Sequence, residues 1–186
     1  MENKKGLSIL KELYEWIETF LFALTAIIMI FTFAVKFVTV SGTSMLATFQ
    51  DRDRLFVSDV GYEPKVGDVV VVDVSHNLEG LRTNANSTYI KRVVALAGQT
   101  VNIDPVNWKV YVDGEALDEP YVYRADNNLM RIGYLDYPYT VPEGCVFLMG
   151  DNRNGSQDSR MIGAVEEKYI LGKVFLRIFP NFKFFE

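Results

Sequence analysis

One cysteine and one histidine occur in a chain of 186 residues. With Cys145 alone no intramolecular disulfide can form, and with His76 as the sole histidine a zinc site built on His and Cys ligands is excluded. Cys145 lies in the apolar run Gly144-Cys145-Val146-Phe147-Leu148-Met149, where a small buried hydrophobe is the ordinary reading. A catalytic thiol would want a basic partner, and none is evident. His76 lies beside Asn77 in a polar loop, where a solvated side chain is the default. A Ser-His-Asp triad would have to use it, so hydrolytic chemistry here calls for an unusual base. A basic excess is also missing. The formal net charge is -5, which disfavours a nucleic-acid binder whose affinity comes from neutralising phosphates. There is no Gly-rich phosphate loop, no dinucleotide fingerprint, no internal repeat and no low-complexity linker.

What the chain does have is one long apolar run. Residues 19–35 carry no charge, and apolar residues continue on both sides, from Trp16 and Ile17 to Phe37-Val38-Thr39-Val40. A helix rising about 1.5 Å per residue crosses a hydrocarbon core of about 30 Å in about 20 residues. The run therefore predicts a transmembrane helix over 16–38. Tyr14 and Trp16 sit where interfacial aromatics belong, and Lys36 can snorkel from the far end. A cleaved secretory signal would have a shorter core and small residues at its exit, whereas this run ends bulky and β-branched. A buried soluble helix would show a polar stripe, and this segment is apolar all round. Lys4, Lys5 and Lys11 precede the span while Lys36, Arg52 and Arg54 follow it. That small asymmetry favours a cytoplasmic segment 1–15 and an extracytoplasmic domain 39–186, acidic residues counting little.

Beyond Val40 the pattern becomes one of short β-branched or aromatic runs between turn residues. Strands are expected at 54–57, 68–73, 89–96, 100–103, 108–112, 145–149 and 172–178. Asp113-Gly114 is a hairpin signal, and Glu63-Pro64-Lys65-Val66-Gly67-Asp68 places a turn before a strand. No helical period of length follows the anchor, and 75–87 and 124–138 are expected to be long loops. The expected fold class is mainly β: an N-terminal transmembrane helix followed by one mostly antiparallel β domain.

Three segments carry candidate chemistry. In Ser41-Gly42-Thr43-Ser44-Met45, a serine among small residues can present both its hydroxyl and its backbone N–H; an ordinary turn reads the same way. In Tyr89-Ile90-Lys91-Arg92-Val93, strand alternation puts Lys91 on the face of Tyr89 and Val93, and Arg92 on the other. A lysine on an apolar face loses hydration, which lowers its pKa, unless it snorkels to water or pairs with an acid. The run Gly150-Asp151-Asn152-Arg153-Asn154-Gly155-Ser156-Gln157-Asp158-Ser159-Arg160 follows an apolar strand. Its composition suits a hydrogen-bonded network with Asp–Arg pairs fixing the backbone, or a solvated polar loop.

Taken together, in this order and after an N-terminal anchor, these segments resemble bacterial type I signal peptidases over nearly the whole chain. The resemblance rests on the nucleophile box 41–45, the turn and strand Val66-Gly67-Asp68-Val69-Val70, and the base box 89–93. It extends to the Gly-Asp-Asn-Arg and Ser-x-Asp-Ser-Arg pieces of 150–160, then Gly163 and Leu171-Gly172-Lys173-Val174. It implies a serine endopeptidase with Ser44 as nucleophile and Lys91 as general base. Ser156 would orient the lysine, and Asp158 and Arg160 would form an ion pair shaping the site, alongside Asp151, Asn152, Arg153 and Ser159. Gly42 stands where some members carry a serine that helps hold the oxyanion, so backbone N–H groups must supply more of that role. Ala47 and Ala97 replace prolines, and Glu166 stands where another is often seen. These changes loosen the backbone and remove no chemical group.

The implied substrates are exported preproteins with small residues at positions -1 and -3 of the cleavage site. The implied setting is the cell membrane, in contact with lipid, and no metal, cofactor or nucleic acid is called for. A neutral lysine at pH 7 needs its pKa lowered to roughly 8, about 3 kcal/mol against the ammonium. Ser44 lies nine residues past Val35, about 30 Å of extended chain, which predicts an active site near the bilayer surface. Rival readings are a non-catalytic relative assisting pilus or surface-protein assembly, which would retain the fold, and a self-cleaving repressor, which would carry a DNA-binding domain instead of an anchor.

Overall fold

In the computed structural model, residues 2–75, 88–124 and 128–185 are described. His76, with Asn77, most of the expected loop 75–87, and 125–127 of the second expected loop lie outside these residues. The described part of the second loop is irregular. The chain divides into two units, residues 1–36 and 37–186.

The first unit is a helix, α1 (Glu2–Phe33), whose segment Leu10–Ile30 is long and apolar enough to cross a membrane. It stops short of the expected boundary at 38. Instead β1 (Lys36–Thr39) is extended. The run from Val35 to Val40 is rich in β-branched residues, whose stiff side chains favour strand over helix once the uninterrupted apolar run has ended.

The second unit is built of strands. They are β2 (Arg54–Ser58), β3 (Val69–Asp73), β4 (Thr88–Ala95), β5 (Thr100–Asp104), β6 (Lys109–Val112), β7 (Glu115–Ala116), β8 (Tyr139–Thr140), β9 (Cys145–Met149), β10 (Val165–Glu166), β11 (Ile170–Phe179) and β12 (Lys183–Phe184). A short helix, α2 (Ser159–Ile162), precedes β10. The larger sheet runs β1-β2-β11-β3-β4-β9-β10, with β12 paired to β11; the smaller runs β7-β6-β5-β8. The ladders β11–β2, β11–β3, β3–β4, β4–β9 and β9–β10 are antiparallel, as are those of the smaller sheet. Each expected strand is present within a residue or two, and the short β7, β8, β10 and β12 were too brief to read.

Asp113 and Gly114 both take positive φ, 52° and 84°, so the predicted hairpin turn is of the mirror-image kind that matches strand twist. β3 and β9 are apolar on both faces because both faces are covered. Val69 and Val71 pack with Met45, Phe49, Leu55 and Val57, whereas Val70 and Val72 pack with Val93, Val146 and Leu148. Cys145, Phe147 and Met149 turn toward Val101, Val110 and Trp108 of the smaller sheet. Cys145 is a buried free thiol whose pKa is raised by burial, which agrees with its reading as a core residue.

Candidate active site

Ser44 lies in the turn after β1. Gly42 enters that turn at φ +91°, where a side chain would be strained, and its N–H donates to Asp51 Oδ1 at 2.9 Å. Met45 and Phe49, buried in the core, anchor the turn from below, and the Phe49 N–H donates to the Met45 carbonyl at 2.8 Å. Ser44 is thereby left half-buried at the floor of a cleft, and its own N–H donates to no acceptor among the described residues. Gly42 is exposed and its N–H is committed to Asp51, so it shapes the turn and presents no free donor.

Lys91 is in mid-β4, opposite Val70 of β3, on the face of Tyr89 and Val93 that alternation assigned it. It is 4% exposed. Nζ donates to Ser44 Oγ at 2.8 Å and to the Ile90 carbonyl at 2.9 Å, and stands 4.9 Å from the centroid of the Tyr89 ring. No carboxylate pairs with it among the described residues. Burial pushes its pKa down from 10.5 to about 8, against the pull of Asp158 and Asp151 and with a smaller push from Arg160. The same burial raises the Tyr89 phenol.

The polar run after β9 braces the nucleophile turn. The Asn152 N–H donates to the Ser44 carbonyl at 3.0 Å and its Nδ2 to the Thr43 carbonyl at 3.1 Å. Asp158 and Arg160 form a fully buried pair, bonded from Nε at 2.7 Å and from the terminal nitrogen at 2.7 Å. Arg160 also donates to the Arg153 and Arg131 carbonyls, and the Gly150 N–H donates to Asp158 at 3.0 Å. Burial alone would raise the Asp158 carboxyl, but Arg160 holds it below the usual range. Ser159 Oγ accepts from the Leu148 N–H at 2.9 Å and so pins the run to β9.

Asp151 and Arg153 find their counter-charges outside the run. Asp151 takes both prongs of Arg92, at 2.8 Å and 2.6 Å, and accepts from the Thr48 hydroxyl. Arg153 forks onto Glu119. Arg92 faces away from Lys91, as alternation required, yet its side chain is only 11% exposed. Arg92, Thr48 and Glu119 are thus contributors that sequence reasoning did not single out. The available signal was that a charged residue on a strand covered on both faces needs a counter-charge.

Ser156, expected to orient the lysine, makes no hydrogen bond to it. Its Oγ is buried without a well-formed hydrogen bond, close enough to Asp158 to help lower that carboxyl. It is wedged against Gly150: a Cβ at that position would lie 2.3 Å from Ser156 Oγ and 2.6 Å from the Ser44 carbonyl oxygen. Glycine at 150 is what lets Ser156 and the nucleophile turn approach one another.

Ser44 and Lys91 open into a cleft of about 470 Å³. One wall is Phe37 to Ser41, along β1 and its continuation; the other is Thr88 to Lys91. β4 pairs with β9 only from Arg92 onward, so among the described residues Thr88 to Lys91 have an edge free of strand partners there. Val38, Val40, Met45 and Ile90 give the lining an apolar share beside the polar Thr39, Ser41, Thr88 and Gln157. Such an arrangement can activate a hydroxyl with a neutral amine and seat an extended peptide beside it. Among the described residues no cluster of potential metal ligands occurs.

The family described as signal peptidase, peptidase S26, matches residues 13–179. A probable signal peptidase I-1 from Synechocystis sp. is 40% identical over 141 residues, covering 74% of this chain and 67% of the relative. Signal peptidase I from Bacillus licheniformis is 33% identical over 188 residues, covering 97% of this chain and 96% of the relative. A crystal structure of a signal peptidase I from Enterococcus faecalis V583 is 27% identical with a TM-score of 0.46, covering 60% of this chain and 97% of that one.

Proposed function

The chain belongs to the signal peptidase family, peptidase S26, and we propose that it cleaves exported preproteins with Ser44 as nucleophile and Lys91 as general base. The observation that carries this reading is the 2.8 Å contact between Ser44 Oγ and a lysine that burial brings down to about 8. At pH 7 about a tenth of such lysines are neutral, against about one in three thousand for an unperturbed amine. With the proton off, the contact reverses and the Ser44 hydroxyl donates to Nζ. Oγ attacks the scissile carbonyl while its proton passes to Lys91, giving a tetrahedral oxyanion. The Ser44 N–H, otherwise uncommitted, is the donor available to that oxygen. Lys91 then protonates the leaving amine, and the neutral amine activates water against the acyl-enzyme.

The peptide enters extended, its backbone between the edges of 37–41 and 88–91, as an added strand. Small side chains at -1 and -3 suit an apolar lining set close to the dyad. The finer localisation belongs to the same proposal: a single α1 span, a cytoplasmic N-terminus and a catalytic unit outside the cytoplasm. Contact of that unit with lipid is supported by Phe179, Phe182 and Phe184, which are 53%, 76% and 75% exposed. The test is to incubate the detergent-solubilised chain with a preprotein bearing Ala-x-Ala and sequence the new N-terminus. Cleavage after the second alanine is expected from wild type and none from Ser44→Ala. Equal cleavage by both overturns the assignment.

A further inference from the structure

A second depression adjoins the nucleophile turn. It has a volume of about 390 Å³ and is lined by Ala47 and Thr48, by Tyr121 and Tyr123, and by Arg124 and Lys183 among others. It shares no lining residue with the cleft that holds Ser44, yet the turn 44–48 contributes to both. The stretch from Ser44 to Thr48 therefore separates the two depressions. The far wall is registered to the turn at two points: Tyr123 bridges to Asn152, whose N–H donates to the Ser44 carbonyl, and Tyr121 stacks on Arg92, which donates to the Thr48 hydroxyl.

The rim is cationic. Arg124 and Lys183 are both exposed, and no carboxylate pairs with either among the described residues. Each instead rests on an aromatic face, Arg124 4.7 Å from the Trp108 ring and Lys183 5.2 Å from the Phe185 ring. Aromatic contact steadies a cation without cancelling its charge.

We propose that this depression receives the mature-protein side of the substrate and that Arg124 and Lys183 select acidic residues there. The side chains served are those of the first few mature residues, which lie over the turn 44–48 between the two depressions. The proposal rests on the cleavage assigned to Ser44 and Lys91 and adds a specificity to it.

Three preprotein peptides, identical except for glutamate, alanine or lysine at the second to fourth mature positions, test it on the full chain in detergent. Wild type should favour glutamate over lysine in kcat/KM by about three- to tenfold, the range that two exposed ion pairs supply, and lose that ranking at high salt. The double variant Arg124→Glu, Lys183→Glu should invert the ranking. The same ranking in both enzymes, or none in wild type, overturns the proposal. So does a variant that cleaves none of the three, because exchanging rim charges should reorder substrates only. Failure of wild type on all three removes the Ser44 and Lys91 reading itself, and the specificity with it.

Discussion

Replacing Lys91 by methionine should make the folded chain gain stability at neutral pH, and the gain should shrink as pH rises. Burial lowers the Lys91 pKa from 10.5 to about 8. Between those values the unfolded chain binds the proton that the folded chain has released, so wild-type stability climbs with pH through that window. Below about pH 8 both states are charged and the full penalty of the buried ammonium stands, about 3 kcal/mol for the shift. From about pH 7 to about pH 9.5 the penalty falls by about 2 kcal/mol. Methionine fills similar volume and does not titrate. Its loss of the bonds to Ser44 and Ile90 is an offset that changes little with pH. The slope of the wild-type minus Lys91→Met difference is therefore the diagnostic. Equilibrium denaturation of both proteins in the same detergent, followed by circular dichroism of the β unit, measures it across the range. A flat difference would mean that Lys91 titrates alike in the folded and unfolded states, and a neutral base at pH 7 would be lost.

In cleavage assays, kcat/KM should rise along a limb centred near pH 8, and Lys91→Arg should be inactive because guanidinium does not deprotonate. A histidine-like midpoint that persists in His76→Ala would contradict a lysine base. Gly150→Ala should abolish cleavage, since the added methyl overlaps Ser156 and the Ser44 carbonyl; overpacking of this kind costs about 1–3 kcal/mol, readable as a lowered Tm. Asn152→Ala removes the cap on the Gly155 N–H and, on the nucleophile turn, only the side-chain bond to the Thr43 carbonyl, while the backbone bond to Ser44 is kept. Loss of one such bond, about 1 kcal/mol, should lower kcat about fivefold with KM little changed, and a pure KM effect would remove Asn152 from positioning the nucleophile.

The large strands were legible because β-branched runs such as Val69-Val70-Val71-Val72 leave few other conformations open, and alternation along β4 separated Lys91 from Arg92 correctly. Asp113-Gly114 announced its turn through a backbone preference local to two residues. The pairings that fix the site were not local. Arg92 and Asp151 are 59 residues apart and Arg153 and Glu119 are 34 apart. Sequence composition says that a buried charge needs a partner, but not which one. The end of α1 was misjudged because β-branched apolar residues after Lys36 serve a membrane helix and an edge strand equally well. The setting of Ser156 was not legible either: it is wedged against Gly150, a contact set by how closely two loop segments approach.

A neutral lysine beside two buried carboxylates is an unstable electrostatic proposition, and the way those carboxylates are held explains how it persists. Asp158 and Asp151 both draw the Lys91 pKa upward, Asp158 more strongly. Each is occupied by its own arginine, Arg160 and Arg92, through two-pronged bonds, and Arg160 also pushes the Lys91 pKa back down. The Asp158–Arg160 pair therefore shields the base as well as braces the loop. Asp158→Asn tests the shielding, because it keeps the shape, removes the carboxylate and leaves Arg160 in place. With the upward pull gone and a cation remaining, the Lys91 pKa should fall, moving the ascending limb of kcat/KM to lower pH by about half a unit to one unit. Stability should drop at the same time, since one partner of a buried pair is left uncompensated at about 3–5 kcal/mol. Loss of stability alone would fit a bracing role and nothing more. A limb that stays in place, or moves to higher pH, would show that the charge of Asp158 does not reach the base.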